Sequence, residues 1–69
     1  MQIQNIYITG IKNETEQKQI EQRLTHIIGV KRVTISVEDY NGKIEIQFET
    51  PASLNNLEKE VYDLGYTIL

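Results

Sequence analysis

The stretch from Val30 to Phe48 reads VKRVTISVEDYNGKIEIQF and decides the fold. Residues 33–37 and 44–48 each alternate apolar and polar side chains, which is the period-2 pattern of half-buried strands. Between them lies the run Asp-Tyr-Asn-Gly at residues 39–42. We predict a β-hairpin, with Asn41 and Gly42 supplying the positive φ angles that a tight turn requires.

A helical pattern lies on each side of this hairpin. Residues 14–28 carry apolar side chains at spacings i, i+4, i+7 and i+8, and residues 54–64 carry them at i, i+3, i+7 and i+10. Gly29 and Gly65 follow these runs, and glycine is a common residue just beyond a helix end. We therefore predict two amphipathic helices, with Gly29 as the C-cap of the first.

The two ends of the chain return to the strand period. Residues 2–9 alternate polar and apolar side chains, and residues 66–68 do so briefly. The order βαββαβ predicts an α+β, ferredoxin-like fold, in which two helices cover one face of a four-stranded antiparallel sheet. We expect one domain over residues 1–69, because a chain this short supports a single core.

The apolar face of each element gives the expected core. Its members are Ile6, Ile8, Ile20, Leu24, Ile27, Val33, Ile35, Val37, Ile44, Ile46, Phe48, Leu54, Leu57, Val61, Leu64 and Ile68. The other face of the sheet is expected to be polar and open.

Composition excludes several classes of function. The chain contains no cysteine, so disulfides, thiolate metal sites, iron–sulfur clusters and cysteine nucleophiles are ruled out. Its formal net charge of −3 argues against nucleic acid as a partner, since phosphate binding depends on lysine and arginine. No stretch has the length and apolarity of a signal peptide or a membrane span, so we expect no membrane insertion and a cytoplasmic location.

Several positions with fixed spacing resemble a known family. They are Gly10, Ile11, Asn13, Glu16, Ile20-Glu21, Leu24, Gly29-Val30, Val33 and Leu64-Gly65-Tyr66. This pattern resembles the heavy-metal-associated domain family, which includes copper chaperones and the N-terminal domains of metal-pumping P-type ATPases. The likeness extends over the whole chain.

The resemblance also locates the family's metal ligands, which are replaced here. Asn13 and Glu16 occupy the two cysteine positions of the family's C-x-x-C motif, and Ile11 occupies its methionine position. The family binds soft metals such as copper or zinc, whereas an amide and a carboxylate are hard ligands. We therefore expect no bound cofactor and a degenerate metal site. Tyr66 matches the family's tyrosine beside that site, and Ile11 is expected to be a buried apolar plug.

The same two positions have a structural interpretation. Asn13-x-x-Glu16 has the spacing of a capping box, in which the Asn13 side chain accepts a backbone N–H of the first turn and Glu16 reaches back to the Asn13 N–H. His26, the only histidine, falls near the helix end, where a local structural role is favoured over a metal or catalytic one.

Two hypotheses of function follow, and neither is enzymatic. The first is a protein-interaction module in metal-ion handling, whose partner is another heavy-metal-associated domain, a metal-transporting ATPase or a second copy of the chain. Its docking surface would be the charged side of the first helix, at Lys12, Lys18, Glu21 and Arg23. The alternative is residual binding of a hard or borderline divalent ion at the first loop by Asn13, Glu14 and Glu16.

Overall fold

The computed structural model describes all 69 residues and contains the six predicted elements in the predicted order. They are β1 (Gln2–Thr9), α1 (Glu14–Thr25), β2 (Val30–Glu38), β3 (Asn41–Phe48), α2 (Leu54–Asp63) and β4 (Thr67–Ile68). The sheet order is β2-β3-β1-β4 and every strand pair is antiparallel. The ferredoxin-like fold is thus confirmed. Neither helix is long and apolar enough to cross a membrane.

The core lies between one face of the sheet and the two helices. Its buried members are Ile6, Ile8, Ile11, Ile20, Leu24, Ile44, Ile46, Phe48, Ala52, Leu57, Val61 and Tyr66. Most of the predicted core is confirmed, and Ile27, Val33, Ile35, Leu54, Leu64 and Ile68 pack around it as partly buried residues. The prediction for Val37 was wrong, since this residue is 40% exposed at the end of the edge strand β2 that leads into the hairpin turn.

The turn between β2 and β3 differs from the prediction. The residues with positive φ are Asp39 (52°) and Tyr40 (67°), whereas Asn41 and Gly42 already belong to β3. The strand pairing explains the difference: Ile35 faces Ile44 and Glu38 faces Asn41, so only residues 39 and 40 remain for the turn. The register that brings the apolar faces together has overridden the local preference of Asn-Gly for the turn.

The first helix is also shorter than predicted. It ends at Thr25 with His26 as the C-cap, so Gly29 is not the cap. Gly29 lies in the connection to β2 with a φ of +102°, and its Cα faces the backbone of Glu49 and Ala52 at a distance that leaves no room for a Cβ. Ile27 packs on the core, while Ile28, predicted to be helical, is 77% exposed.

Candidate functional site

The first loop, residues 10–13, lies at one end of the sheet against the β2–β3 turn. The Tyr40 carbonyl accepts hydrogen bonds from the backbone N–H groups of Gly10 (2.9 Å) and Ile11 (3.2 Å). Gly10 has a φ of +106°, which an L side chain rarely adopts. The turn therefore fixes the path of the chain just before α1.

The start of α1 is closed by its own side chains. Asn13 Oδ1 accepts the N–H of Glu16 at 2.9 Å, which confirms the predicted N-cap. The predicted bond from the Asn13 N–H to Glu16 is absent, and Glu16 Oε1 instead accepts the N–H of Lys12 at 2.7 Å. Asn13 is fully extended (φ −160°, ψ 173°), and the Lys12 N–H that precedes it is directed to the first turn of α1 by its bond to Glu16. Each of the two positions thus has an oxygen engaged with backbone.

Ile11 and Tyr66 are the buried side chains next to this loop. Ile11 is 2% exposed, which confirms the predicted apolar plug, and a Cβ on Gly42 would lie 2.5 Å from Cδ1 of Ile11. Gly42 is therefore needed for close packing and not for its φ angle. Tyr66 is buried next to Gly10. Its burial raises the pKa of the phenol above its usual 10.0, and the negative charge of Glu16 raises that pKa further.

The oxygen donors at this loop form a poor site for a metal ion. Asn13 and Glu16 use oxygens for capping, and Glu14 is exposed on the first turn of α1. The chain contains no group of three or more His, Cys, Asp or Glu side chains that could hold a metal ion. Hard divalent ions prefer six or more oxygen ligands, water included, so this loop would leave most of them to water.

The structure separates the predicted docking residues into two groups. Lys12, Lys18 and Glu21 are exposed and form no ion pair. Arg23 is also exposed, but its Nε donates to Glu60 Oε2 of α2 at 2.9 Å. Arg23 thus links the two helices, and the unpaired charges lie nearer to the first loop.

The structure also shows the positions of His26 and Tyr40. His26 is exposed and is the C-cap of α1, and its backbone N–H donates to the Gln22 and Leu24 carbonyls. Tyr40 was predicted to lie in the turn, but its contact with the first loop was missed. A shallow depression of about 380 Å³ lies between Tyr40 and the start of α1.

The comparison with solved structures decides the family. The chain is 40% identical to a structure described as the CsoZ metallochaperone, with a TM-score of 0.91, over 99% of this chain and 96% of that one. The chain belongs to the heavy-metal-associated domain family. No family sequence model and no curated protein matches it.

More distant members of the heavy-metal-associated family show the same fold. A copper-binding domain from HMA7, a P-type ATPase, has a TM-score of 0.87 at 18% identity, covering 100% of this chain and 95% of that one. Apo-CopP from Helicobacter pylori has a TM-score of 0.82 at 20% identity, covering 99% of this chain and all of that one. The scaffold of a metal-handling domain is thus retained in a chain that has no cysteine.

Proposed function

We propose that this domain is a non-catalytic, cytoplasmic protein-interaction module in metal-ion handling. It docks through the first loop and α1 onto another heavy-metal-associated domain or a metal-transporting ATPase. The observation that carries the proposal is the engagement of Asn13 and Glu16 with backbone N–H groups, because it holds the loop in shape with no ion to bind.

The hydrogen bonds around the loop support a permanently formed surface. The N–H groups of Gly10, Ile11 and Lys12 all have protein acceptors, and so does that of Glu16. A preformed surface loses less conformational entropy on binding than one that must be ordered. Docking would then require no prior metal loading.

Electrostatics supports the choice of surface. Lys12, Lys18 and Glu21 have no internal ion partner, so a partner's charges can reach them without breaking an existing pair. Contacts between exposed charges speed up association and weaken as salt screens them. We therefore expect fast, salt-sensitive binding. Arg23 would contribute only if its pair with Glu60 opened.

A non-catalytic role agrees with the positions of the serine and histidine side chains, which are the groups that could serve as nucleophile and base. Ser53 Oγ accepts the N–H of Asn56 as the N-cap of α2, and Ser36 lies on β2 with an exposed side chain. His26 is at the far end of α1 from the first loop. These groups do not assemble into the nucleophile and base that covalent catalysis needs.

Amide chemical shifts of the labelled domain, mixed at low salt with a cysteine-containing heavy-metal-associated domain of a transport ATPase, test the proposal. We expect shift changes within residues 10–24 that disappear at high salt. Lys18→Glu should abolish them, whereas Lys59→Glu on the exposed side of α2 is the control with the same charge change. No shift change with such a domain at low salt would refute the proposal.

A metal titration tests the alternative function, which is residual binding of a divalent ion at the first loop. Copper, zinc, manganese, calcium and magnesium are each added to the domain alone. Binding tighter than about 1 mM with shifts at Asn13, Glu14 and Glu16 would favour a metal-binding role. The capping hydrogen bonds lead us to expect weaker binding for every ion, because ligation would have to break them.

A further inference from the structure

The two edges of the sheet differ in how they are protected. At the β2 edge, the pairing with β3 is irregular between Val30 and Arg32. Lys31, Arg32 and Glu38 place charges near its two ends, and the Gln17 side chain on α1 donates to the Ile35 carbonyl at 3.3 Å. Bulges, charges and covering groups are the usual devices that prevent an edge strand from pairing with another chain.

The opposite edge is largely open. β4 pairs with β1 only at Ile8 and Thr9, and the Leu69 N–H extends this pairing to the Tyr7 carbonyl at 2.8 Å. That bond shows that odd-numbered residues of β1 direct their backbone groups to this edge. The N–H and C=O groups of Ile3 and Asn5 therefore face solvent, and residues 2–5 are all exposed.

No protective device is present along β1. Its sequence, QIQNIYIT, contains no charged residue and no proline, and its register against β3 is continuous. The exposed face beside the open edge is partly apolar, because Ile3 is 60% exposed, Tyr7 50% and Leu69 70%. An uncharged, regular, partly apolar edge is the kind that accepts another strand.

We propose that residues 1–5 pair antiparallel with the same residues of a second copy, joining two four-stranded sheets into one. This edge is complementary to itself, since a two-fold axis perpendicular to the sheet brings the donors and acceptors of each copy's odd residues together. The uncharged strands do not repel one another, although each chain carries a net charge of −3.

The structure also limits the register of this pairing. Odd residues must face odd residues, and Tyr7 is already bonded to Leu69. The register that avoids Tyr7 sets Ile3 opposite Ile3 of the second copy and stacks the two side chains on the open face. The contact is small, below about 1,200 Å², so the dimer is weak and forms at high protein concentration. It leaves residues 10–24 free, and this inference therefore does not depend on the proposed function.

Sedimentation equilibrium and amide shifts, from about ten micromolar to about one millimolar protein, test the pairing. We expect the average mass to rise toward that of a dimer, with concentration-dependent shifts and slower amide exchange at Ile3 and Asn5. Ile3→Lys should remove all three effects. Thr34→Lys, an exposed position on β2 with the same charge change, should leave them intact.

A charge-swap experiment tests whether the strand that pairs with β1 belongs to a second copy of the chain. Ile3→Lys and Ile3→Glu should each be monomeric alone and should form a mixed dimer when combined. A monomeric wild type at one millimolar would overturn the proposal. A dimer that survives Ile3→Lys, or one whose shifts fall in residues 10–24, would also overturn it.

Discussion

Asn13 and Glu16 join the first loop to α1 with their own oxygens. An N-cap oxygen satisfies a helical N–H that has no partner within the helix, and a carboxylate in the first turn interacts favourably with the helix dipole. In the heavy-metal-associated family these two positions are the ones expected to carry thiolates. Here the same positions bond to backbone N–H groups at the start of α1.

Truncation of the cap tests this stabilisation. Asn13→Ala should lower the free energy of unfolding by about 1 kcal/mol, because the N–H of Glu16 loses its acceptor. Asn13→Asp and Asn13→Ser retain an acceptor oxygen and are the matched controls. Urea unfolding followed by circular dichroism measures the differences. Equal stability of Asn13→Ala and Asn13→Asp would show that the cap contributes nothing.

The phenol of Tyr66 gives a pH-dependent signature of the site. Burial and the Glu16 charge raise its folded-state pKa above the unfolded value of about 10. Above pH 10 the unfolded state therefore releases this proton more readily than the folded state, so stability falls as pH rises through the folded pKa. Below pH 10 the contribution is fully retained.

Carbon-13 shifts of the labelled tyrosine rings, measured against pH, check this prediction. Tyr66 should titrate above the ordinary range, and Glu16→Gln should lower its pKa without restoring the ordinary value, because burial is the larger cause. Tyr66→Phe should remove its part of the alkaline loss of stability. An unchanged Tyr66 pKa in Glu16→Gln would mean that the carboxylate does not act on the phenol.

At the scale of elements, the hairpin turn holds two non-glycine residues at positive φ. The left-handed region costs an L residue about 1–2 kcal/mol, and Tyr40 has a φ of 67°. Tyr40 is 65% exposed, so little packing offsets that cost. This conformation allows the Tyr40 carbonyl to accept hydrogen bonds from Gly10 and Ile11, which link the hairpin to the first loop.

Glycine substitutions on the two sides of the turn test its position. Tyr40→Gly should raise the free energy of unfolding by about 0.5–1 kcal/mol, since glycine adopts positive φ without strain. Asn41→Gly should lower it by a similar amount, because residue 41 lies in β3 and glycine weakens strands. Thermal unfolding of both variants measures the effect. The opposite signs would place the turn at residues 41 and 42.

The spacing of apolar residues predicted the helices and strands correctly, because each of these elements buries one face against the same core. The pairing of Ile35 with Ile44 follows from that rule, and so does the stripe of Ile20 and Leu24 on α1. Local preferences predicted the ends of elements less well. The helix end at Thr25 and the turn at Asp39 are set by how the chain meets the sheet, and this is not visible in a short window.

The site was predictable in part for the same reason. Spacing alone indicated the Asn13 cap, since its partner is three residues away. The position of Tyr66 next to Gly10 and the close packing of Gly42 on Ile11 each bring together residues that are distant in sequence. The bond from Gly10 to Tyr40 likewise joins two loops that only the completed sheet brings together.

For the whole molecule, the decisive question is whether the scaffold is still fit for the family's soft metals. Residues 13 and 16 lie at the start of α1, three residues apart, where the helix N-terminus lowers the pKa of thiols. The fold matches a metallochaperone at a TM-score of 0.91. If only the ligands have changed, restoring sulfur at these positions should restore binding, since thiolates suit soft ions.

The double variant Asn13→Cys/Glu16→Cys should therefore bind one equivalent of copper(I) or zinc, measured by competition with a chromophoric chelator. Its apo form should be less stable by about 1 kcal/mol, because the cap is lost, and metal should raise its melting temperature. Either single cysteine variant should bind far more weakly, and Asn13→Ser/Glu16→Ser controls for the loss of the cap. A folded double variant that binds no better than the single variants would show that the loop, held by Tyr40 and Ile11, has lost the geometry for a metal as well as its ligands.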